Sequence, residues 1–326
     1  MTTYLTTTFL LLGVSIFYLK LAKRYNITDK PNERSSHDTP TIRGGGILFL
    51  MALVFFFLQN DFQYPYLLAG TLLVGGISFL DDLKPLSPLL RFPFQLIAIL
   101  FVLIQLNLWG TPWWVFGTLW VLGVGFVNAY NFMDGINGIT GLYSLSILAG
   151  FYFLNRQTGL VNDDLLLFLG ISLGVFGFYN FRKKALFFAG DIGSISIAVV
   201  LFFLGTLFAI RLEAPVILLM AVVYGTDSIL TIFYRLFVNE KITTPHRYHI
   251  YQKLVDFYQI SHLKVAMGYA ILQLLVNGSV YFAFRWDFWQ QLVLLFGVVF
   301  FFVTSYVLVF FTIQKKVRTL SIHTIK

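Results

Sequence analysis

The sequence predicts an all-α, polytopic integral membrane protein. Of its 326 residues, 58% are hydrophobic and only 12% are charged, and the mean hydropathy is +0.78. Soluble domains carry about a quarter charged residues, so a large soluble core is excluded. No stretch between the apolar runs exceeds about 25 residues, which is too short to bury a core of its own. We therefore expect one transmembrane domain, residues 1–326.

Apolar runs between charged residues and Gly or Pro predict about eleven transmembrane helices, because about 20 helical residues cross the hydrocarbon core. The first run lacks the basic start and the small-residue cleavage site of a signal peptide, so we interpret it as a span. The expected spans are residues 4–21, 44–58, 66–80, 92–106, 113–127, 139–154, 165–180, 192–210, 214–237, 265–284 and 288–313.

The basic residues predict the orientation of these spans. With the N-terminus outside and the C-terminus in the cytoplasm, only Arg156, Arg211 and Arg285 face outward, and the other 20 of the 23 Lys and Arg lie on the cytoplasmic side. That asymmetry is the positive-inside pattern. The expected cytoplasmic loops are about 23–43, 81–91, 128–138, 181–192 and 238–264.

Charge and cysteine content exclude several functions. The net charge is +8, but the basic residues are scattered over short loops without base-stacking aromatics, so we expect no nucleic-acid partner. Cysteine is absent, which excludes disulfides, thiolate catalysis and zinc–thiolate sites.

The first cluster of candidate functional residues is Asp81-Asp82, which is followed by Arg91. Adjacent carboxylates at the end of a membrane helix repel each other unless a cation is near. Because acids at a membrane boundary are costly, they are candidates for function by default. The structural alternative is a solvated helix end neutralised by nearby basic residues.

The second cluster is the run from Asn128 to Gly138, which includes Asn131, Asp134 and Asn137. Carboxylate and amide oxygens suit a hard cation such as magnesium, or hydrogen bonds to a sugar or base. A spacing of three residues predicts that Asn128, Asn131 and Asp134 share one helical face. The alternative is a polar turn in which glycines supply positive φ.

The third cluster is Gly190-Asp191-Ile192-Gly193-Ser194, at the start of a span. A helix N-terminus preceded by glycine favours anions such as phosphate, and an Asp there can anchor a bridging cation. The alternative is that Asp191 or Ser194 only caps the helix.

The fourth cluster is His246-Arg247-Tyr248-His249, in the longest predicted cytoplasmic loop. Arg binds phosphate in a bidentate manner, and His donates hydrogen bonds or carries protons. A basic loop beside lipid headgroups is the alternative.

The first loop adds His37, Thr39, Arg43 and the three glycines 44–46. We expect these glycines to pack closely against a ligand or a neighbouring helix.

Together these parts predict phosphoryl transfer, which depends on positioning and charge neutralisation. In order and spacing, the clusters resemble those of the polyprenyl-phosphate N-acetylhexosamine-1-phosphate transferases, the family of the WecA-type and MraY-type enzymes. The resemblance extends from Ser36-His37-Asp38-Thr39-Pro40-Thr41 to the His-Arg loop and is closest to the O-antigen and capsule branch.

The resemblance implies a reaction at a bacterial inner membrane, on its cytoplasmic face. Undecaprenyl phosphate would attack the sugar-proximal phosphorus of a UDP-N-acetylhexosamine, giving a lipid-linked diphospho-sugar and UMP. The cofactor would be Mg²⁺, with Mn²⁺ as the alternative. The implied catalytic residues are Asp81, Asp82, Arg247, His246 and His249; the metal ligands Asp191 and Asn131; and the substrate contacts Asn128, Asp134, Phe188, Arg91 and Gly190.

Two positions depart from the family pattern. Arg91 stands where many members have Lys, which keeps the charge and adds a bidentate donor. Asn137 stands where many have a second Asp, so we assign it neither metal binding nor a role as base.

Two other functions remain open from the residues alone. A transporter or flippase would use intramembrane acids as a substrate path, usually near the midplane. Asp227, inside the 214–237 span, is the acid that the clusters do not explain. A catalytically inactive member of the family is the third possibility.

The sequence does not indicate which N-acetyl sugar is used, which glycan pathway the protein belongs to, or which oligomeric state it has.

Overall fold

A computed structural model of the chain describes residues 2–29, 40–241 and 246–324. Within that part, the chain is helical apart from loops, one 3₁₀ segment (Pro215–Ala221) and a two-stranded antiparallel ladder of β1 (Thr28–Asp29) with β2 (Thr41–Ile42). The helices are α1 (Thr2–Arg24), α2 (Ile47–Gln59), α3 (Pro65–Leu83), α4 (Pro88–Gln105), α5 (Trp113–Phe132), α6 (Ile139–Thr158), α7 (Asp163–Asn180), α8 (Gly190–Arg211), α9 (Val222–Phe237), α10 (Ile250–Asp256), α11 (His262–Ala283) and α12 (Phe288–Thr324).

Each of the eleven predicted spans corresponds to a helix, and the all-α, polytopic class is confirmed. Among the described residues, nine helical segments are long and apolar enough to cross a membrane, two fewer than predicted. One of the other two predicted spans is α2, whose 13 residues are too few for a hydrocarbon core of about 30 Å. The other is α6, which has 20 residues but includes Asn155 and Arg156. The orientation stays a prediction.

Helix α8 lies at the centre of the bundle. In its most apolar window 83% of the residues are buried, against 6% for α12, so α8 is the core helix and α12 presents its surface to lipid. Helices α2, α3 and α5 pack around α8, while α6 packs along α11. The site described below is built at the N-terminal end of α8.

Glycines allow α2 to approach the start of α8. A Cβ on Gly46 would lie 2.1 Å from the Cα of Gly193. The backbone N–H groups of Gly45 and Gly46 donate to the carbonyls of Phe188 and Ala189, at 2.8 and 2.9 Å. Gly45 and Gly46 therefore pack closely against the start of α8, as expected for contact with a neighbouring helix.

The expected helical face of Asn128, Asn131 and Asp134 is wrong for its third member. Helix α5 ends at Phe132, so Asp134 lies beyond the helix. The chain then turns at Gly138, whose φ of +84° is accessible mainly to glycine, and α6 begins. A helical spacing cannot continue through that turn.

Candidate active site

Asp82 joins the end of α3 to the beginning of α8. Its carboxylate accepts the backbone N–H groups of Asp191 and Ile192, at 2.9 and 3.2 Å, and it forms an ion pair with the Nε atom of Arg43 at 2.7 Å. The Asp82 side chain is fully buried. A negative charge at a helix N-terminus satisfies N–H groups that lack partners within the helix. Asp82 thus caps α8 from another helix, whereas the sequence offered Asp191 or Ser194 as the cap.

Gly190 makes this cap possible. Its φ is +72°, and a Cβ there would lie 2.4 Å from the Asp82 Oδ2 atom and 2.8 Å from the backbone N of Gly44. A side chain at position 190 would displace the Asp82 carboxylate from the α8 terminus. Gly190 therefore lies beside the predicted acids, and its lack of a side chain leaves room for the Asp82 carboxylate.

Asp191 is surrounded by nitrogen donors. Arg91 Nη1 lies 2.6 Å from its Oδ2 atom, while Arg43 Nη2 and Asn131 Nδ2 lie 3.3 and 3.2 Å from Oδ1. Its side chain is 16% exposed, so a ligand can reach it. Charge-assisted contacts of this kind hold a carboxylate in its ionised form.

Asp81 shares Arg91 with Asp191. The same Nη1 atom of Arg91 lies 2.7 Å from Asp81 Oδ2, and the backbone N–H of Leu86 donates to Asp81 Oδ1 at 2.6 Å. Since one nitrogen bridges both carboxylates, Asp81 and Asp191 lie within a few ångströms of each other. Three carboxyl groups and two guanidiniums thus form one cluster, which has one more acidic than basic side chain. We call Asp81, Asp82, Asp191, Arg43 and Arg91 the acidic cluster.

Two amides of α5 have different neighbours. Asn131 donates to Asp191 and, at 2.8 Å, to the Ser194 hydroxyl, which places it in the acidic cluster's surroundings. Asn128 exchanges hydrogen bonds with Gln95 of α4, at 2.8 and 3.3 Å. In the structure, then, Asn128 links α5 to α4, and its predicted contact with a nucleoside stays a prediction.

Asp134 lies beside the cluster, in the loop after α5. It accepts the Thr140 hydroxyl at 2.6 Å. Burial raises the pKa of Asp134 to about 6, and the hydroxyl donor limits the rise because it stabilises the ionised form.

The His-Arg loop is attached mainly to α9 and α10, and α10 in turn contacts the end of α5. The Nδ1 atom of His249 lies 3.1 Å from Asp227 Oδ1, and Arg247 pairs with Asp256 at 3.2 Å. Tyr251 donates to the carbonyl of Phe132 at 3.2 Å, which connects this loop to residues 128–138. Burial lowers the pKa of His246 to about 4, so its imidazole is neutral at pH 7 and acts as a hydrogen-bonding group rather than a cation.

The structure therefore unites three of the four predicted clusters around Asp191, while Tyr251 brings the fourth against the second. Arg43, for which the sequence predicted no specific role, belongs to the centre of the site. An Arg directly before three glycines that enter a membrane helix was the available signal. Phe188 has its backbone paired with Ile42 and Gly45. The predicted residues His37 and Thr39 lie outside the described part of the chain.

The acidic cluster fits a magnesium ion with few protein ligands. Among the described residues, no three His, Asp or Glu side chains are arranged as ligands of one ion. Mg²⁺ is commonly held by one or two carboxylates, with substrate phosphates and water completing its shell. Asp191 supplies a reachable carboxylate, and turning the Asn131 amide by 180° presents its oxygen to the same place. Arg43 and Arg91 already show that cations are stabilised there.

Fold and site define a class: a polytopic helical membrane protein with a buried, charged centre at one end of its core helix. The sequence model of "Glycosyl transferase family 4" matches residues 64–212, which include Asp81 to Asp191. The chain belongs to this family, that of the WecA-like and MraY-like transferases, which confirms the resemblance described above.

Three relatives show the range of the family. The chain is 26% identical over 284 residues to a probable undecaprenyl-phosphate N-acetylglucosaminyl 1-phosphate transferase of Bacillus subtilis (strain 168), covering 77% of this chain and 76% of the relative. It is 28% identical over 294 residues to the decaprenyl-phosphate N-acetylglucosaminephosphotransferase of Mycobacterium leprae (strain TN), covering 74% and 72%. It is 30% identical over 225 residues to the phospho-N-acetylmuramoyl-pentapeptide-transferase of Streptococcus pneumoniae serotype 19F (strain G54), covering 58% and 68%.

Proposed function

We propose that this protein transfers an N-acetylhexosamine 1-phosphate from a UDP-sugar to undecaprenyl phosphate and releases UMP. The observation that carries the proposal is the acidic cluster at the N-terminus of α8, in a chain whose relatives bear the names of sugar-phosphate transferases acting on polyprenyl phosphates. The reaction would begin a lipid-linked cell-surface glycan, such as an O-antigen, a capsule or a wall polymer.

The chemistry requires two anions to meet. An oxygen of the lipid phosphate forms a bond to the β-phosphorus of the UDP-sugar, and the bond from that phosphorus to the bridging oxygen breaks, with UMP as the leaving group. At 4 Å, each pair of unit charges of like sign costs about 4 kcal/mol near a protein surface. Catalysis therefore depends on cations that hold both phosphates in line.

Arg43 and Arg91 are the cations placed to receive the lipid phosphate. Both guanidiniums are partly exposed, at 30% and 23%, and both lie against Asp191. An incoming phosphate would replace part of their pairing with the carboxylates. As the phosphate is largely dianionic near pH 7, a general base is not essential.

Of the two adjacent acids, Asp81 is the better candidate for contact with the lipid phosphate. Asp82 is fully buried and holds the α8 terminus and Arg43, so its substitution should affect assembly of the site. Asp81 has a side chain that is 10% exposed and lies on the Arg91 side of the cluster.

Asp191 and Asn131 would hold Mg²⁺, which supplies charge neutralisation of the diphosphate when it is bound. Arg247, with His246 and His249, would bind the diphosphate from the other side. Asp134 and Asn128 would contact the nucleoside or sugar. In the orientation that the basic residues predict, all these groups face the cytoplasm, where UDP-sugars occur.

The test is UMP release by purified protein supplied with undecaprenyl phosphate, MgCl₂ and a panel of UDP-sugars that includes N-acetylglucosamine and its 6-deoxy relatives. We expect one or more sugars to give lipid-dependent UMP release. Asp191→Asn should reduce the rate by about 10³-fold, since it removes a charge that acts on the reacting phosphates.

Asp163→Asn is the matched control, because Asp163 also lies in the first turn of a membrane helix, α7, where it pairs with Arg156. Its rate should remain within twofold of the unsubstituted protein. Should no UDP-sugar in the panel release UMP, or should both variants lose the same activity, the proposal fails.

A further inference from the structure

Asp227 is a buried acid whose carboxylate has several hydrogen-bond partners. It lies in α9 and is 3% exposed. Its Oδ1 atom accepts the backbone N–H of Ile250 at 3.2 Å and the Thr231 hydroxyl at 3.3 Å, and its Oδ2 atom accepts the Tyr269 hydroxyl at 2.6 Å. Several donors around one carboxylate offset the cost of removing it from water.

The remaining partner of Asp227 is a residue of the His-Arg loop. The His249 ring is 1% exposed, with its Nδ1 atom 3.1 Å from Asp227 Oδ1. The ring is packed between those of His246 and Tyr251, at centroid distances of 5.0 and 5.5 Å. Asp227 and the two flanking rings therefore fix the plane and direction of the imidazole.

The second ring nitrogen of His249 has a different environment. Its Nε2 atom is buried and has no hydrogen-bond partner among the residues that the structure describes. A buried polar atom without a partner is costly, so such atoms in native proteins call for a ligand or water. The carboxylate beside Nδ1 fixes the ring so that Nε2 points away from Asp227 and is the ring nitrogen left for a ligand.

We infer that Asp227 is a positioning residue for UDP-sugar use. It orients His249 so that Nε2 is presented to the diphosphate, and it does not itself contact substrate. The same carboxylate holds the first N–H of α10, so it also sets where the helix following the His-Arg loop begins. This inference rests on the proposed function.

The test is the steady-state kinetics of Asp227→Asn, with each substrate varied in turn. Asn preserves the size of the side chain and an oxygen for Ile250 and His249, but not the charge. We expect kcat/KM for the UDP-sugar to fall by about 10- to 100-fold, the size of effects caused by groups that orient a functional His. The KM for undecaprenyl phosphate should stay within twofold.

Thr231→Val is the matched control. Thr231 also donates to Asp227 and contacts Tyr306 of α12 at 2.8 Å, so its loss affects the same carboxylate and helix packing without touching His249. Its kcat/KM should remain within about threefold. If Asp227→Asn fails to fold, Asp227→Glu replaces it. That variant keeps the charge, but its extra methylene displaces the carboxylate from His249 Nδ1, so the same substrate-selective defect is expected.

A double-mutant cycle separates positioning from general stability. If Asp227 acts through His249, then Asp227→Asn combined with His249→Ala should be no slower than His249→Ala alone. Additive losses, or equal losses in Asp227→Asn and Thr231→Val, would overturn the inference while leaving the proposed function intact. Absence of UMP release by the unsubstituted protein would overturn both.

Discussion

At the scale of single residues, two adjacent acids have different surroundings. Asp82 accepts two backbone N–H groups and an Arg43 nitrogen, whereas Asp81 accepts one backbone N–H and shares Arg91 with Asp191. Neighbouring residues near the end of a helix point in directions about 100° apart. Asp82 therefore faces the α8 terminus, and Asp81 faces Arg91, which also contacts Asp191. Their substitution should have different effects.

Asp134 provides a prediction about pH. Its folded pKa, about 6, lies above the value near 4 of an unfolded Asp, so ionisation opposes folding once the pH rises above 4. Asp134→Asn should therefore stabilise the protein by about 2 kcal/mol at pH 7.5, and by clearly less at pH 5, where the folded carboxyl is protonated. The Asn oxygen still accepts the Thr140 hydroxyl.

Thermal unfolding of the two proteins in detergent at both pH values measures this difference. A stability gap that is the same at pH 5 and pH 7.5 would show that ionisation of Asp134 does not oppose folding.

The sequence identified the residue types of the site but not all of their partners. Asp191 and Asn131 were candidates because carboxylates and amides at the end of a membrane helix are costly unless they have a function, and the family resemblance added Arg91. The role of Arg43 depends on its contact with Asp82, which is 39 residues away in the sequence. The role of Asp227 depends on its contact with His249, which is 22 residues away. No local spacing encodes such contacts.

At the scale of elements, the site depends on how closely α2 approaches α8. The N–H groups of Gly45 and Gly46 bond to the segment before α8, and Arg43 precedes them by two residues. A displacement of α2 would therefore move Arg43 away from Asp82 and Asp191. The glycines thus connect helix packing to the electrostatics of the site.

Gly46→Ala tests this coupling. The added Cβ would meet Gly193 Cα at 2.1 Å and Gly193 N at 2.8 Å, both backbone atoms that cannot rotate away. We expect a loss of about 3 kcal/mol, seen as a Tm lower by several degrees, and a matching fall in UMP release. Thermal unfolding in detergent and the UMP assay measure the two effects.

Gly76→Ala on α3 is the control, because nothing lies within 4 Å of a Cβ at that position. Its Tm should be unchanged or higher, since Ala favours a helix more than Gly does. An equal Tm for both variants would mean that α2 does not need this close approach.

At the scale of the whole molecule, the apolar runs predicted every long helix of the described chain, because a membrane helix must be apolar along its full length, but not the short α10. The runs overestimated the number of segments that meet the length and composition of a span, since α2 is apolar but only 13 residues long. The 3₁₀ segment before α9 and the end of α5 before Asp134 were also missed. Turn geometry and packing decide such boundaries, and hydropathy does not report them.

The predicted orientation can be tested on this cysteine-free chain. Ser87 and Gly110 are exposed and flank the two ends of α4. With the N-terminus outside, a membrane-impermeant thiol reagent added to intact cells should label Gly110→Cys and leave Ser87→Cys unlabelled until the membrane is opened. Labelling of Ser87→Cys from outside would reverse the orientation and place the acidic cluster on the wrong side for UDP-sugars.

The fate of the β-phosphorus distinguishes transfer of a sugar phosphate from transfer of the sugar alone. UDP-N-acetylhexosamine labelled with ³²P at the β-phosphorus should transfer its label to undecaprenyl phosphate in amounts equal to the UMP released. Both should disappear in Asp191→Asn. Label that leaves the enzyme as UDP, with an unlabelled lipid-linked sugar as the product, would contradict the account, because the acidic cluster would then not act on the β-phosphorus.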